Sequence, residues 1–311
     1  MQRLNEDRNI ITNTILPLIT MMLWGSLFPC IKIGYKVFVI NTENVADILM
    51  FAALRFTVCG IIVCIIACFS KLRTAKPKAK NTLNICLMGI FSIVLHYGFT
   101  YVGLSKTDSS KTAIFKQLAP LLFACFSFLF VNDEKFSFKK IIGALIGFCG
   151  IIAINTGTSF YGFSTGDIMI IAASGCTVIS MIISGKSAKK TSPVWITGIS
   201  QFFGGIVLFA AALFMGAAIP KFTIESAPVF IYICVASIVG YTLFYYVQRT
   251  AELSRLFIIK FAEPIFACIF SAAFLGENIF KIQYLISFVM ISIGIVLGST
   301  VKTDKNKNST M

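Results

Sequence analysis

Of 311 residues, 57% are hydrophobic and 13% charged, with mean hydropathy +0.86, whereas a soluble domain carries roughly 25% charged residues; a water-soluble globular fold is excluded. The net charge of +14 does not point to nucleic acid, because the basic residues fall mainly in short segments between apolar runs, where they orient a membrane protein. Ten cysteines without a CxxC pair, and a single histidine, complete no common zinc pattern.

The polar leader MQRLNEDRN precedes an apolar run too long for a signal h-region and without a clear small-residue cleavage site, so this run is expected to stay as a span. Apolar runs then recur at about 11–34, 45–70, 84–104, 110–131, 138–156, 167–185, 193–217, 227–247, 255–275 and 282–301. Each is long enough to cross a hydrocarbon core of about 30 Å as a helix, and none alternates as a barrel strand would. The expected fold is an all-α integral membrane protein with ten transmembrane helices. All ten cysteines lie in or at the edge of these runs and read as small buried hydrophobes.

With the N-terminus inside, the Lys and Arg residues divide as 18 on the inner side, 6 on the outer side and three within spans, namely Arg55, Lys116 and Lys260. That bias places both termini in the cytoplasm and requires an even number of spans. Self-comparison at an offset of 144 aligns residues 97–150 with 241–294 without a gap. The informative matches are polar or special residues: Tyr97 with Tyr241, Tyr101 with Tyr245, Ser110 with Ser254, Lys116 with Lys260, Pro120 with Pro264 and Gly150 with Gly294. Two five-span halves are therefore expected, residues 1–157 and 158–301, followed by a cytoplasmic tail, 302–311. Five is odd, so the second half enters the membrane in the opposite sense. Such inverted repeats place a substrate site near the midplane and suit alternating access.

The polar residues within spans are the candidate site. Lys116 in AIFKQLAP and Lys260 in FIIKFAEP either snorkel to the interface or face a wet cavity and attract a substrate's acidic group, since a lysine facing lipid costs about 2.5–3.5 kcal/mol. Arg55 is too deep to snorkel easily. Glu263 lies three residues after Lys260 on the same helical face and reads as its counterion or as a proton-coupling carboxylate. His96 is either a proton relay or a histidine bonded within the bundle. Pro120 and Pro264 each remove a backbone hydrogen bond and offer a hinge. Tyr97 and Tyr241 give the third and eighth spans a hydrogen-bonding aromatic face, while Tyr101, Tyr245 and Tyr246, nearer span ends, also fit an interfacial belt. Trp24 either lines the cavity or packs. Glycines in GALIGFCG and SIGIVLG let helices approach closely, and Asp133, Glu134 and Glu277 are expected to cap or pair at span ends.

These features resemble the EamA-type carriers of the drug/metabolite transporter superfamily. The resemblance rests on the two five-span halves, on Trp24-Gly25-Ser26 followed by Lys32, on Arg55-Phe56, and on the Pro120 and Pro264 spans with their downstream acidic residues and glycine-bearing fifth spans. It covers almost the whole chain and implies a permease of the plasma (inner) membrane for small polar metabolites, commonly an exporter of amino acids or drugs. Two departures stand out. The sixth span, AASGCTVISMIISGKSAKK, lacks the tryptophan of its counterpart, and Gln201 stands roughly where Arg55 stands in the first half.

A membrane-embedded enzyme, the alternative from another class, would need a nucleophile with its base, a metal set or paired carboxylates within spans, and one histidine with Glu263 as the only deep carboxylate supplies these poorly. A sensor would show a soluble output domain. No GxxxxGK[ST] motif supports direct ATP drive. The expectation is a secondary carrier without cofactor or metal, probing as partners a small-molecule substrate, membrane lipids, a coupled proton or counter-substrate and a homodimer mate, but no nucleic acid. Its substrate is expected to be an amino acid or related organic anion or zwitterion, moved outward, with cationic drugs the alternative.

Overall fold

The computed structural model describes residues 10–69, 77–104, 106, 109–129, 136–154, 164–249, 253–276 and 282–299. All described secondary structure is helical. Helix α1 (Leu16–Val37) continues from a π-helical turn at Ile11–Ile15 and carries Pro17 just after the junction. In α2 (Val45–Phe69), Asn44 Oδ1 accepts the Ala46 N–H and caps the first turn. Helix α3 has two parts, α3a (Ala79–Gly89) and α3b (His96–Leu104), joined by a π-helical stretch, Ile90–Leu95. Then come α4 (Ser109–Phe126), α5 (Phe138–Ile154) and α6 (Thr165–Ala188), the last opened by a reciprocal capping box between Ser164 and Asp167. Helices α7 (Pro193–Phe214) and α8 (Ala227–Val247) each begin with a proline in the first turn. Helix α9 is again split, α9a (Leu253–Ile259) and α9b (Ala262–Leu275), and α10 is Ile282–Ser299.

Seven of the described helices are long and apolar enough to cross a membrane: α1, α2, α3, α6, α7, α8 and α9. The other three predicted spans correspond to α4, α5 and α10, of 18, 17 and 18 residues, and the ends of their apolar runs lie outside the described residues. Large apolar side chains occupy both environments. Phe56, Phe257, Phe261 and Met88 are fully buried, while Ile65, Ile231 and Val296 are more than half exposed, as expected of a bundle whose outer face meets hydrocarbon.

Helix α2 packs along α7, α5 along α10, α1 against α8 and α9b, and α6 against α3 and α4. Two of these crossings bring backbones together. A Cβ on Gly60 would lie 2.2 Å from Phe202 N, and one on Gly294 would lie 2.5 Å from Gly143 O, so only glycine permits either approach. One helix end departs from the usual chemistry: α1 closes with Ile40 N–H on Tyr35 O (2.9 Å) and Val39 N–H on Lys36 O (3.3 Å). This double closure normally uses glycine in the left-handed position, yet Val39 occupies it at φ 53.

Candidate functional site

Proline has no N–H, so a proline four residues after a lysine removes the helical donor to that lysine's carbonyl. Both AIFKQLAP and FIIKFAEP follow this rule, and the freed carbonyls are satisfied differently. In α4, which stays continuous through the buried Pro120, the Lys116 carbonyl accepts the Ser174 hydroxyl of α6. In α9 the helix breaks: Lys260 and Phe261 form the turn between α9a and α9b, and the Lys260 carbonyl accepts the Glu263 N–H at 3.1 Å. Of the two sequence-predicted hinges, only Pro264 adjoins a break in its helix.

The break aims Lys260 at two partners. Its ammonium donates to Glu263 Oε2 and lies 5.1 Å from the ring centroid of Trp24 on α1, within cation–π range. Gly25, beside Trp24, makes room for this approach, since a Cβ there would lie 3.0 Å from Glu263 O. Lys116 joins the same group. It lies on α4, which packs against α9a, and its carbonyl accepts from Ser174 close to the α6 residues that bond His96. Among the described residues Lys116 has no ion-pair partner. His96 is bonded within the bundle through Nδ1, 2.9 Å from Thr177 Oγ1 and 3.2 Å from Ala173 O on α6.

Arg55 forms a second basic centre. It is 2% exposed, and Nη2 donates to the Tyr97 hydroxyl at 3.0 Å. Its guanidinium lies 4.3 Å from the Phe56 ring centroid and 5.5 Å from that of Tyr97, while its Nε–H has no acceptor. Tyr101 extends this cluster through a 3.2 Å hydroxyl contact with Tyr35.

Tyr241 connects the two centres. Its ring lies 5.2 Å from Trp24 and 6.3 Å from Phe56. Most sequence-predicted site residues are thus gathered together: Trp24, Arg55, His96, Tyr97, Tyr241, Lys260 and Glu263 are linked by contacts that pass through Phe56, with Lys116 on the adjoining α4. Gln201 on α7 is not linked to them by any hydrogen bond or ring contact; it is fully buried with neither amide atom bonded. Tyr245, 2% exposed, packs inside against Tyr241, whereas Tyr246 is 45% exposed.

Phe56, Tyr35, Ser174 and Thr177 were not anticipated as site residues. The proline spacing reveals which carbonyls are freed, but Ser174 and Thr177 look like any small polar residue at a helix contact, and no periodicity singles them out.

Charge is unbalanced in this region. The described carboxylates are Glu43, Asp47, Asp167, Glu225 and Glu263. Asp47 accepts the Ala218 N–H and the Asn44 amide near the start of α2, and Asp167 caps α6. Only Glu263 faces the basic residues, so Arg55, Lys116 and Lys260 against Glu263 leave an excess of two positive charges among the described residues. Asp133, Glu134 and Glu277 lie outside them. No described group of three or more His, Cys, Asp or Glu is placed to hold a metal ion, and the cysteines are free thiols.

Residues 13–156 and 164–300 each match the EamA-like transporter family. The chain is 24% identical over 266 residues to an uncharacterized transporter of Archaeoglobus fulgidus, covering 84% of this chain and 88% of the other. It is 26% identical over 278 residues to the uncharacterized inner membrane transporter YedA of Escherichia coli K12, covering 87% and 85%. A solved crystal structure superposes with a TM-score of 0.74 at 16% identity, over 92% of this chain and 95% of that one, which establishes likeness of fold.

Proposed function

The chain belongs to the EamA-like transporter family, and we propose that it is a secondary active carrier that moves a small organic anion or zwitterion, with amino acids the first class to test, by alternating access. The observation that carries this reading is the excess of two positive charges, among the described residues, beside aromatic rings in a site assembled from both halves of the chain. Trp24, Arg55, Tyr97 and Lys116 come from residues 1–157; Tyr241, Lys260 and Glu263 come from residues 158–301. A cation would be repelled there, which disfavours the cationic-drug alternative.

Ten spans in two inverted halves are the architecture this reading needs. The packing supports it: α1 meets α8 and α9b as α6 meets α3 and α4, while α2 meets α7 and α5 meets α10. Exchanging the halves exchanges these contacts, as an inverted repeat requires. The basic-residue bias supports cytoplasmic termini. Glu263 serves as the counterion of Lys260, and a proton or counter-substrate is the coupling partner. Export is the expected direction in the cell.

Uptake of labelled amino acids and organic acids into proteoliposomes tests the reading. Flux of at least one anionic or zwitterionic solute is expected, with Lys116→Ala and Lys260→Ala each reducing it by about tenfold or more, the order of one lost charge-assisted hydrogen bond. Undiminished flux of a confirmed substrate in both variants would remove the lysines from the site.

A further inference from the structure

We propose that the ligand of this site is an elongated dianion, with one acidic group held by Lys116 and Lys260 and the other by Arg55, across a flat apolar middle. The inference rests on the carrier reading for the site's role and goes beyond it in ligand class. Two observations carry it, one of charge and one of position.

Lys260 is neutralised by Glu263, whereas Lys116 and Arg55 have no carboxylate partner among the described residues. A zwitterion leaves both excess charges in place and a monoanion leaves one. A dianion brings the cluster to neutrality, which a poorly solvated site favours strongly because uncompensated buried charge is costly.

From Arg55 the contacts run through the Phe56 ring at 4.3 Å, to Tyr241 at 6.3 Å, to Trp24 at 5.2 Å and to Lys260 at 5.1 Å. Three rings thus link the basic ends, so a compact dianion such as inorganic phosphate would engage one end at a time. The rings suit a planar, apolar middle. Free donors remain along this path: Arg55 Nε and Trp24 Nε1 are buried and have no acceptor, and Arg55 is 2% exposed.

The test uses the full-length protein in nanodiscs and measures binding by calorimetry. The probes are straight-chain dicarboxylates from succinate to azelate, terephthalate, monocarboxylates of matching length and inorganic phosphate. One dicarboxylate length is expected to bind about tenfold or more tightly than its monocarboxylate and than phosphate. Arg55→Gln should reduce that dicarboxylate to the monocarboxylate level. If Arg55→Gln does not fold, Lys116→Gln provides the second variant and should weaken the dicarboxylate by a similar factor. Equal binding of mono- and dicarboxylates, binding of phosphate alone, or no dicarboxylate binding overturns the proposal. Flux of a zwitterion without dianion preference would sink this inference and leave the carrier reading standing; dicarboxylate binding without flux of any solute would do the reverse.

Discussion

Glu263→Gln is expected to destabilise the protein by about 3 kcal/mol, and adding Lys260→Gln to recover most of that loss. Breaking a buried ion pair from one side leaves an uncompensated charge, which costs more than removing both partners. The pair is well placed for this effect: both side chains are 15% exposed, and α4, which carries the positive Lys116, packs against α9a. Without Glu263, three cations would share the region without a described carboxylate. Lys260→Gln alone should cost less, because Glu263 retains the field of Lys116. A double-mutant cycle on the purified protein, read by reversible unfolding in mixed micelles, gives the coupling. Additive effects of the two substitutions would mean that the ion pair does not organise the turn between α9a and α9b.

Gly60→Leu should cost about 3 kcal/mol or more and shift much of the protein to an unfolded or aggregated form. The three atoms nearest a Cβ at Gly60 are Phe202 N, Cα and Cβ, at 2.2, 2.4 and 2.6 Å. Two of them are backbone, so no rotamer change relieves the clash and α2 must move away from α7. That movement would also displace Arg55 and Phe56, little more than one turn earlier on α2. Gly98→Ala is the control. Nothing lies within 4 Å of a Cβ there, and alanine is the better helix former by about 1 kcal/mol, so its stability should be unchanged or higher. Comparable losses at both positions would show that the α2–α7 approach is not what glycine serves.

The helical, membrane-spanning character of the chain follows from hydropathy alone, and the lysine–proline spacing identifies which carbonyls lose their donors. The same spacing does not show that α9 breaks while α4 continues. That difference depends on whether a hydroxyl from another helix takes the freed carbonyl, as Ser174 does for Lys116, or the chain turns to use its own Glu263 N–H, as at Lys260. The π-helical stretch Ile90–Leu95 is equally hidden, because IFSIVL has no residue that demands it. Helix orientation is the broader difficulty. In α2 and α7, apolar residues face both neighbouring helices and lipid, so periodicity cannot tell which face meets which partner. Arg55 could be selected because a deep cation needs a partner; that the partners are Tyr97 and Phe56 required the fold. Gln201 shows the converse limit, since its rough equivalence to Arg55 did not bring it into the same contacts.

In the proposed carrier, Lys116 and Lys260 line a water-filled path open to one side at a time. Cysteines placed singly at 116 and 260, in a background without the ten native cysteines, can be challenged with a membrane-impermeant thiol reagent from either side of sealed vesicles. Labelling of both positions from water is expected, with the accessible side changing when a transported solute is supplied in excess. Labelling only by lipid-soluble reagents, at both positions and under all conditions, would place these side chains toward lipid and contradict the account.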